Sequence, residues 1–282
     1  MLTPAVSLAI VSSLFASDYG DWPVRQQESV VKKFSLSGSA MRVDVDNVNG
    51  YVHVVADGGS EVEMRARKTI RAETDADLAQ AQKEVSLDVQ EQNGAVSILY
   101  DAPWRCRDNA GNCGDHHRKF YEVIYDIDLR VPRGARLVVS TVNNGDVQVK
   151  NAAGSYEVRN VNGAISMEGI SGSGDVKTVN GPISVRFAKG PAEACTMKTV
   201  NGSVDAYFPH QLSADLLFKT FNGQVYTDFD VEPRSSAQQQ PVRNDGRFIY
   251  RSNRFIAGRV GQGGREYSFE TLNGDIRLHA QD

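Results

Sequence analysis

The sequence predicts an all-β fold, a β-solenoid or β-roll of Asn-Gly repeats about 20 residues long, with one short helix in its N-terminal part. A tripeptide of a bulky apolar residue, Asn and Gly recurs along the chain. Its copies are Val48-Asn49-Gly50, Val161-Asn162-Gly163, Val179-Asn180-Gly181, Val200-Asn201-Gly202, Phe221-Asn222-Gly223 and Leu272-Asn273-Gly274, with a variant at Val142-Asn143-Asn144-Gly145. Successive glycines from Gly145 to Gly223 are 18, 18, 21 and 21 residues apart, which is typical of stacked repeats.

The composition supports a folded β protein. The chain has 282 residues, of which 40% are hydrophobic, and it contains 11 Phe and 10 Tyr. Such a composition favours a packed core over disorder. The net charge of -4 excludes a globally basic nucleic-acid binder, so we expect no specific nucleic-acid partner, although local basic stripes are compatible with this charge.

The first 17 residues predict a secretory signal peptide. An apolar run from Pro4 to Ala16 ends in a small residue, although no Lys or Arg precedes it. The run is shorter than the roughly 20 residues of a membrane-spanning helix. We therefore expect export, to the periplasm or the cell surface; an N-terminal membrane anchor or a buried strand is the alternative. Residues 18–33 are polar and are interpreted as a linker.

Residues 34–133 predict an N-terminal β region with one helix. Thr74 can cap a helix that continues to Lys83, with Asp77 three residues after the cap. Alternating apolar residues predict strands on both sides of this helix. These strands lie around Asn49-Gly50 and at residues 61–70, 85–89, 95–100 and 120–131.

The loop at 101–118 carries two of the three cysteines. Cys106 and Cys113 bracket a polar, Gly-containing segment, and in an exported protein we expect them to form a disulfide. The neighbouring Asp115-His116-His117 could ligate zinc, but the cysteine spacing differs from that of common structural zinc sites. We therefore expect no metal and no cofactor. Cys195 is expected to be a small buried residue of a repeat strand.

Residues 134–282 form the predicted solenoid. In each unit an apolar residue stands four positions before the Asn, and a Thr or Asn stands two positions before it. Alternating apolar residues follow the Gly, so each unit is a strand, an Asn-Gly corner and a second strand. Gly and Asn are expected to supply a left-handed backbone at the corner. Aligned Asn and Thr side chains can then form hydrogen-bonded ladders between rungs.

Residues 230–264 interrupt the period of the repeats. This segment contains a polar stretch from Pro233 to Pro241 and a Gly-rich stretch from Gly258 to Gly264. We interpret it as a loop inserted between adjacent rungs. A flat meander or a sandwich of Asn-Gly hairpins is the alternative to the solenoid, because hairpins explain the dipeptide equally well.

Four stretches of the chain form a combined pattern: Val131-Pro132-Arg133-Gly134-Ala135-Arg136-Leu137-Val138-Val139-Ser140-Thr141-Val142-Asn143, the recurring Lys-Thr-Val-Asn-Gly, Gly261-Gln262-Gly263-Gly264 and Thr271-Leu272-Asn273-Gly274-Asp275-Ile276-Arg277. These segments resemble a family of bacterial envelope proteins that are described as putative adhesins, or as β-strand-repeat proteins of unknown function. The resemblance spans about residues 34–282, and its combined pattern carries it. It implies a β-solenoid-like or β-roll fold, export or surface attachment, and a loose link to envelope stress and adhesion. It implies no agreed catalytic residues.

A candidate binding site lies three positions before the repeat Asn. Four units carry a cation there: Arg159, Lys177, Lys198 and Lys219. If the rungs stack in register, these side chains form a column of like charge that could bind an anionic glycan, a lipid surface or an envelope protein. The alternative is that the long side chains only keep this face soluble and cover apolar surface.

We expect an exported, non-enzymatic adhesin or scaffold of the cell envelope. The sequence leaves its oligomeric state open, and a purely structural oligomer built by edge-strand pairing is a third possibility. The alternative is a carbohydrate-active β-helix enzyme, because such enzymes use pairs of acidic residues. Pairs two positions apart occur at Asp44/Asp46, Asp126/Asp128 and Asp228/Asp230. Each pair is more typical of the solvated side of a strand, and no nucleophile elbow, phosphate loop or zinc-protease motif is present.

Overall fold

The computed structural model describes residues 7–9, 22–36, 41–105, 120–234, 242–244, 247–249 and 255–281. In chain order its elements are β1 (Ser7–Ala9), β2 (Val24–Ser35), β3 (Arg42–Asp46), β4 (Val52–Asp57), β5 (Glu61–Ala72), α1 (Asp75–Glu84), β6 (Ser86–Gln92), β7 (Ala95–Asp101), β8 (Tyr121–Pro132), β9 (Arg136–Ser140), β10 (Val147–Lys150), β11 (Tyr156–Arg159), β12 (Ile165–Ile170), β13 (Gly174–Lys177), β14 (Ile183–Phe187), β15 (Cys195–Lys198), β16 (Val204–Pro209), β17 (Ala214–Asn222), β18 (Val225–Thr227), β19 (Glu232–Arg234), β20 (Val242–Asn244), β21 (Arg247–Ile249), β22 (Phe255–Val260), β23 (Glu266–Asn273) and β24 (Ile276–Gln281).

Within the described residues the strands form two eleven-stranded sheets and a separate pair, β20 with β21. Sheet 1 has the order β1-β2-β5-β8-β4-β10-β12-β14-β16-β24-β18, and sheet 2 has the order β19-β22-β17-β23-β15-β13-β11-β9-β3-β7-β6. Neither sheet closes into a barrel. The prediction of an all-β, solenoid-like fold with one helix is confirmed.

Each rung contributes one strand to sheet 2, turns at an Asn-Gly corner and contributes the next strand to sheet 1. The rungs stack in parallel: Val158 lies beside Val139 on one side and beside Val176 on the other. The two strands of a rung therefore belong to different sheets, and the corner is not a hairpin turn. Stacking gives the rungs a shared interior that a single rung could not bury.

The interior contains the apolar residues that alternate along both sheets. Phe187, Phe208 and Phe269 are fully buried and come from three neighbouring rungs. The rings of Phe187 and Phe208 stack with their centroids 4.8 Å apart, and Phe208 meets Phe269 edge to face at 6.4 Å. This row of aromatic rings joins neighbouring rungs as well as the two sheets.

The order of the rungs in space differs from their order in the chain. Strand β23 lies between β15 and β17, and β24 lies between β16 and β18. The C-terminal rung, residues 266–281, is therefore inserted between the rungs at 195–209 and 214–227. The two outer rungs are consecutive in the chain but do not pair with each other.

The corner glycine is required mainly because the neighbouring rung passes close to it. A Cβ atom added to Gly181 would lie 2.2 Å from the carbonyl oxygen of Gly163. Among the corner glycines only Gly50 and Gly274 have a positive φ, and among the corner asparagines only Asn144 does. The expectation of a left-handed backbone at every corner is therefore wrong, since close packing of successive backbones explains most of these glycines.

Asn and Thr stabilise the corners in different ways. The amide nitrogen of Asn180 donates to Oδ1 of Asn162 at 2.8 Å, and that of Asn201 donates to Oδ1 of Asn180 at 2.8 Å. The buried Thr199 hydroxyl instead donates to the carbonyl oxygen of Gly181 in the next rung, at 2.9 Å. The Asn residues thus form a side-chain ladder, whereas the Thr residues bind the adjacent backbone.

The N-terminal end of the stack is covered by antiparallel strands and by α1. Thr74 caps α1 by accepting a hydrogen bond from the backbone N–H of Asp77, as predicted. Strand β6 pairs antiparallel with β7 at the edge of sheet 2. Strand β5 pairs antiparallel with β8, and β2 pairs antiparallel with β5.

The interpretation of residues 18–33 as a linker is wrong for the part that forms β2. This strand is polar, but all twelve of its residues lie opposite β5, and Phe34 is buried while Val24 and Val30 pack against the core. Backbone pairing over this length stabilises the strand, although its sequence contains few of the apolar residues that would predict it. Apart from β1, the segment at 1–17 lies outside the described residues.

Candidate binding surface

The column three positions before the repeat Asn lies on the outer face of sheet 2. Strand register places Arg159 beside Lys177, and Lys177 beside Lys198. The next neighbour of Lys198 is Glu270, and Lys219 lies on the far side of that carboxylate. The expected column of four adjacent cations is therefore corrected: the inserted C-terminal rung puts an acid between the third and the fourth.

Each cation of this column has a carboxylate partner. Lys177 pairs with Asp175 at 2.9 Å, and Arg159 pairs with Glu157. Lys198 and Lys219 both pair with Glu270, at 3.1 and 2.9 Å. The four cationic side chains keep between 36% and 59% of their surface exposed. Exposed pairs of this kind contribute only about 0–1 kcal/mol, so a ligand anion can compete for these cations.

Glu270 is the most constrained carboxylate of the column. Its partial burial raises its pKa, but the hydrogen bonds from Lys219 and Lys198 and their positive charges outweigh this effect. The pKa of Glu270 therefore lies below its ordinary value, and Glu270 is ionised at neutral pH. It thereby links the two lysines, which lie on the rungs on either side of its own.

An apolar ridge runs next to the charged column. It consists of the residue directly before each repeat Asn, and its exposure is greatest at the C-terminal end of the stack. Val179 is 39% exposed, Leu272 is 46% exposed and Phe221 is 76% exposed. The ridge and the charged column both face solvent, because they are two positions apart along each strand.

A cleft of about 570 Å³ lies between the ridge and the column at this end. Lys198, Lys219 and Glu270 supply its charged groups, whereas Val200, Phe221 and Leu272 supply apolar surface. The cleft thus offers ammonium groups beside exposed apolar side chains. The sequence pattern puts both the cations and Glu270 in this column, but it does not predict that Glu270 lies between Lys198 and Lys219, because the order of the rungs cannot be deduced from equivalent repeats.

The other end of the same face carries acidic residues. A second cleft, of about 330 Å³, is lined in part by Asp44, Asp46 and Arg159. Asp44 pairs with Arg42 at 2.7 Å, and Asp46 pairs with Arg105 at 2.7 Å while accepting a hydrogen bond from the Ser140 hydroxyl. At this end of the outer face the acids are thus held by arginines, whereas at the other end Lys198 and Lys219 share Glu270.

The other two acidic pairs are also engaged by neighbouring side chains. Asp126 pairs with Arg67 at 2.8 Å, and Asp128 accepts a hydrogen bond from the Tyr51 hydroxyl at 3.2 Å. Asp228 lies 3.7 Å from the His279 ring. These contacts fit the interpretation of the pairs as the solvated side of strands.

The described residues hold no group of three or more His, Cys, Asp or Glu side chains that could bind a metal ion. Cys106, Cys113, Asp115, His116 and His117 lie outside these residues. Cys195 is buried, and its burial raises the pKa of its thiol to about 12. This thiol is therefore neutral at physiological pH.

The outer face of sheet 1 carries a different column. Lys150 pairs with Glu168 of the adjacent rung at 3.8 Å. The Arg186 guanidinium lies 4.0 Å from the centre of the Tyr207 ring, which in turn stacks on His279 at 4.5 Å. This face consists of pairs between neighbouring rungs, and it provides a control for the surface on sheet 2.

Fold and surface together define a class of protein: an open, two-sheet stack of parallel rungs with a mixed charged and apolar outer face. The family profile named Toastrack DUF4097 matches residues 43–279, and the chain belongs to this family. Among curated proteins no match is found.

Three solved structures are similar over most of the chain. A putative cell adhesion protein from Clostridium sporogenes is 7% identical, with 91% of this chain and 100% of that chain covered and a TM-score of 0.47. A putative adhesin from Bacteroides fragilis is 8% identical, with 89% and 96% covered and a TM-score of 0.35. A putative lipid binding protein from Parabacteroides distasonis is 9% identical, with 90% and 95% covered and a TM-score of 0.23.

Among the residues that the structure describes, no helix has both the length and the hydropathy to span a membrane.

Proposed function

We propose that this protein is an exported, non-enzymatic binding scaffold of the cell envelope, and that the outer face of sheet 2 binds an extended anionic polymer. The observation that carries the proposal is the cleft in which Lys198 and Lys219 stand beside Leu272 and Phe221. Ammonium groups next to exposed apolar side chains suit an acidic polysaccharide, whose sugar rings present both carboxylates and apolar faces.

The geometry of the stack supports an extended ligand. Arg159, Lys177 and Lys198 occupy three successive rungs, which in a β-sheet are about 4.8 Å apart. A polyanion that runs along the stack would meet one cation at each of these rungs and Lys219 beyond Glu270. Because the carboxylate partners of these cations are exposed ion pairs, exchanging them for ligand anions costs little.

The test replaces three lysines by Gln and measures retention on an immobilised acidic polysaccharide such as polygalacturonate. We expect the variant K177Q/K198Q/K219Q to bind about tenfold more weakly than the wild type, because three charge contacts are lost. Wild-type binding should weaken as salt is raised, since the contacts are exposed.

A matched control variant, K33Q/K150Q/K189Q, has the same change in net charge but alters lysines away from the charged column. It should retain wild-type affinity. An equal loss of affinity in both variants, or wild-type affinity in K177Q/K198Q/K219Q, would rule out the proposed surface. A neutral dextran column tests whether binding needs the charge of the polysaccharide. Vesicles of phosphatidylglycerol test whether an anionic lipid surface binds in its place. Release of new reducing ends from the polysaccharide would instead favour the enzymatic alternative.

A further inference from the structure

The two ends of the stack differ in how their edges are covered. At the N-terminal end, the Asn side-chain ladder terminates on Glu122, whose carboxylate accepts hydrogen bonds from Asn49 and Asn144. Strands β2, β5, β6 and β8 cover this end. At the C-terminal end, β22 and β19 cover the sheet 2 half, and the described part of β22 begins at Phe255, opposite Lys219.

Residues 220–227, the corner and sheet 1 half of the last rung, have no strand beside them on their outer side among the described residues. The Asn222 and Gln224 carbonyls and the Asp228 N–H point inward, to the adjacent rung. By alternation, the backbone groups of Val225 and Thr227 point to the outside. As far as the described residues show, no strand occupies this edge, and its outward backbone groups can accept one.

Exposed apolar side chains are concentrated at the same end. The structure exposes seven large hydrophobic side chains among its described residues, and four of them lie here. These are Phe221, Tyr226, Ile256 and Leu272. A free strand edge with exposed aromatic residues is the kind of surface that pairs with another chain.

We propose that this edge binds a second copy of the same chain about a twofold axis through the corner. About this axis, the sheet 2 half of the last rung in one copy lies antiparallel to the sheet 1 half of the last rung in the other copy. With the axis between Gly223 and Gln224, Phe221 of one copy faces Tyr226 of the other, and Thr220 faces Thr227. The pairing ends there, because Phe255 of β22 already lies beside Lys219.

The pairing is self-complementary in chemistry. Two aromatic residues, both exposed in one copy, cover each other on both sides of the axis. A closed dimer follows rather than a filament, because the opposite end presents different, covered strands to which this edge is not complementary. The inference does not depend on anion binding by the outer face of sheet 2.

Sedimentation velocity of the full-length protein over a range of concentrations tests the proposal. We expect a monomer–dimer equilibrium in the wild type. Phe221→Lys and Tyr226→Asp should each raise the dissociation constant about tenfold, because each removes two equivalent aromatic contacts across the axis. The double variant should return close to the wild-type constant, because each new Lys then faces a new Asp.

The control variant Val55→Lys changes a side chain that is 41% exposed on the face of sheet 1, away from this end, and should dimerise like the wild type. Circular dichroism confirms that each variant is folded. A wild type that is monomeric at every concentration overturns the proposal, as does a double variant that stays as weak as the single ones. Growth into larger assemblies also overturns it.

Discussion

At the scale of single residues, the repeat is determined by close contact between successive backbones. Thr199 and Thr271 each donate from the hydroxyl to the glycine carbonyl oxygen of a neighbouring rung, at 2.9 Å in both cases. The same carbonyl oxygens lie so close to the corner glycine of the next rung that no side chain fits at that glycine. The repeated Thr and Gly therefore form one packing unit, which explains why they recur together.

We predict that Gly181→Ala lowers the free energy of unfolding by about 2–3 kcal/mol. The added methyl group would lie 2.2 Å from the Gly163 carbonyl oxygen, so the corner must shift to accept it. Urea unfolding followed by circular dichroism measures the effect. Gly58→Ala is the control, since nothing lies within 4 Å of its added Cβ, and it should change stability by less than about 0.5 kcal/mol.

A result in which both alanine variants are equally stable would show that the rungs are not packed this closely.

The sequence predicted which residues recur at the corner and that Asn would form a ladder. It could not predict that Thr binds a backbone carbonyl oxygen instead of another Thr. That distinction depends on the distance between rungs, which no residue pattern reports.

At the scale of elements, Glu270 shows how strand order changes a site. The residue belongs to the last strand pair of the chain, yet strand order places it between Lys198 and Lys219. Because all rungs share the same pattern, the sequence gives no signal that the last rung is inserted before the previous one. The members of the charged column were therefore predictable, but the order in which their charges follow one another along the stack was not.

We predict that Glu270→Gln reduces the loss of stability in acid. The folded-state pKa of Glu270 lies below the ordinary value of 4.5, so its ionised form stabilises the fold above that pH. This contribution is lost as the pH falls through the lower, folded-state pKa. The difference between the free energies of unfolding at pH 7 and pH 3 should therefore be smaller in the variant.

Glu168→Gln serves as the control for this experiment. Its carboxylate is 62% exposed and lies 3.8 Å from Lys150 on the other sheet, so the variant should keep the pH dependence of the wild type. An unchanged difference between the two pH values in Glu270→Gln would mean that Lys198 and Lys219 do not hold this carboxylate in the folded protein.

At the scale of the whole molecule, the chain forms an open stack whose two ends have different structures. The repeats predicted the stack, since one interior must be shared by units that are too small to fold alone. The polar strand β2 was not predicted, because its stability comes from backbone pairing with β5 over twelve residues rather than from apolar side chains. At the covered end the sequence therefore indicated β5, β6, β8 and α1 but not β2, whereas it indicated the strands of the repeating body.

The central claim is that the C-terminal rung lies between two rungs that are consecutive in the chain. Pairs of cysteines on the outer face of sheet 2 test it, in a background with Cys195→Ala. Neighbouring strands are about 4.8 Å apart, within the Cα range of a disulfide, whereas strands two apart are beyond it. Peptide mass spectrometry without reduction identifies the bonds formed on mild oxidation.

We expect disulfides in the variants K198C/E270C and K219C/E270C, and none between the two engineered cysteines of K198C/K219C. A disulfide in K198C/K219C together with none in K198C/E270C would show that the rungs stack in chain order, and it would contradict this account.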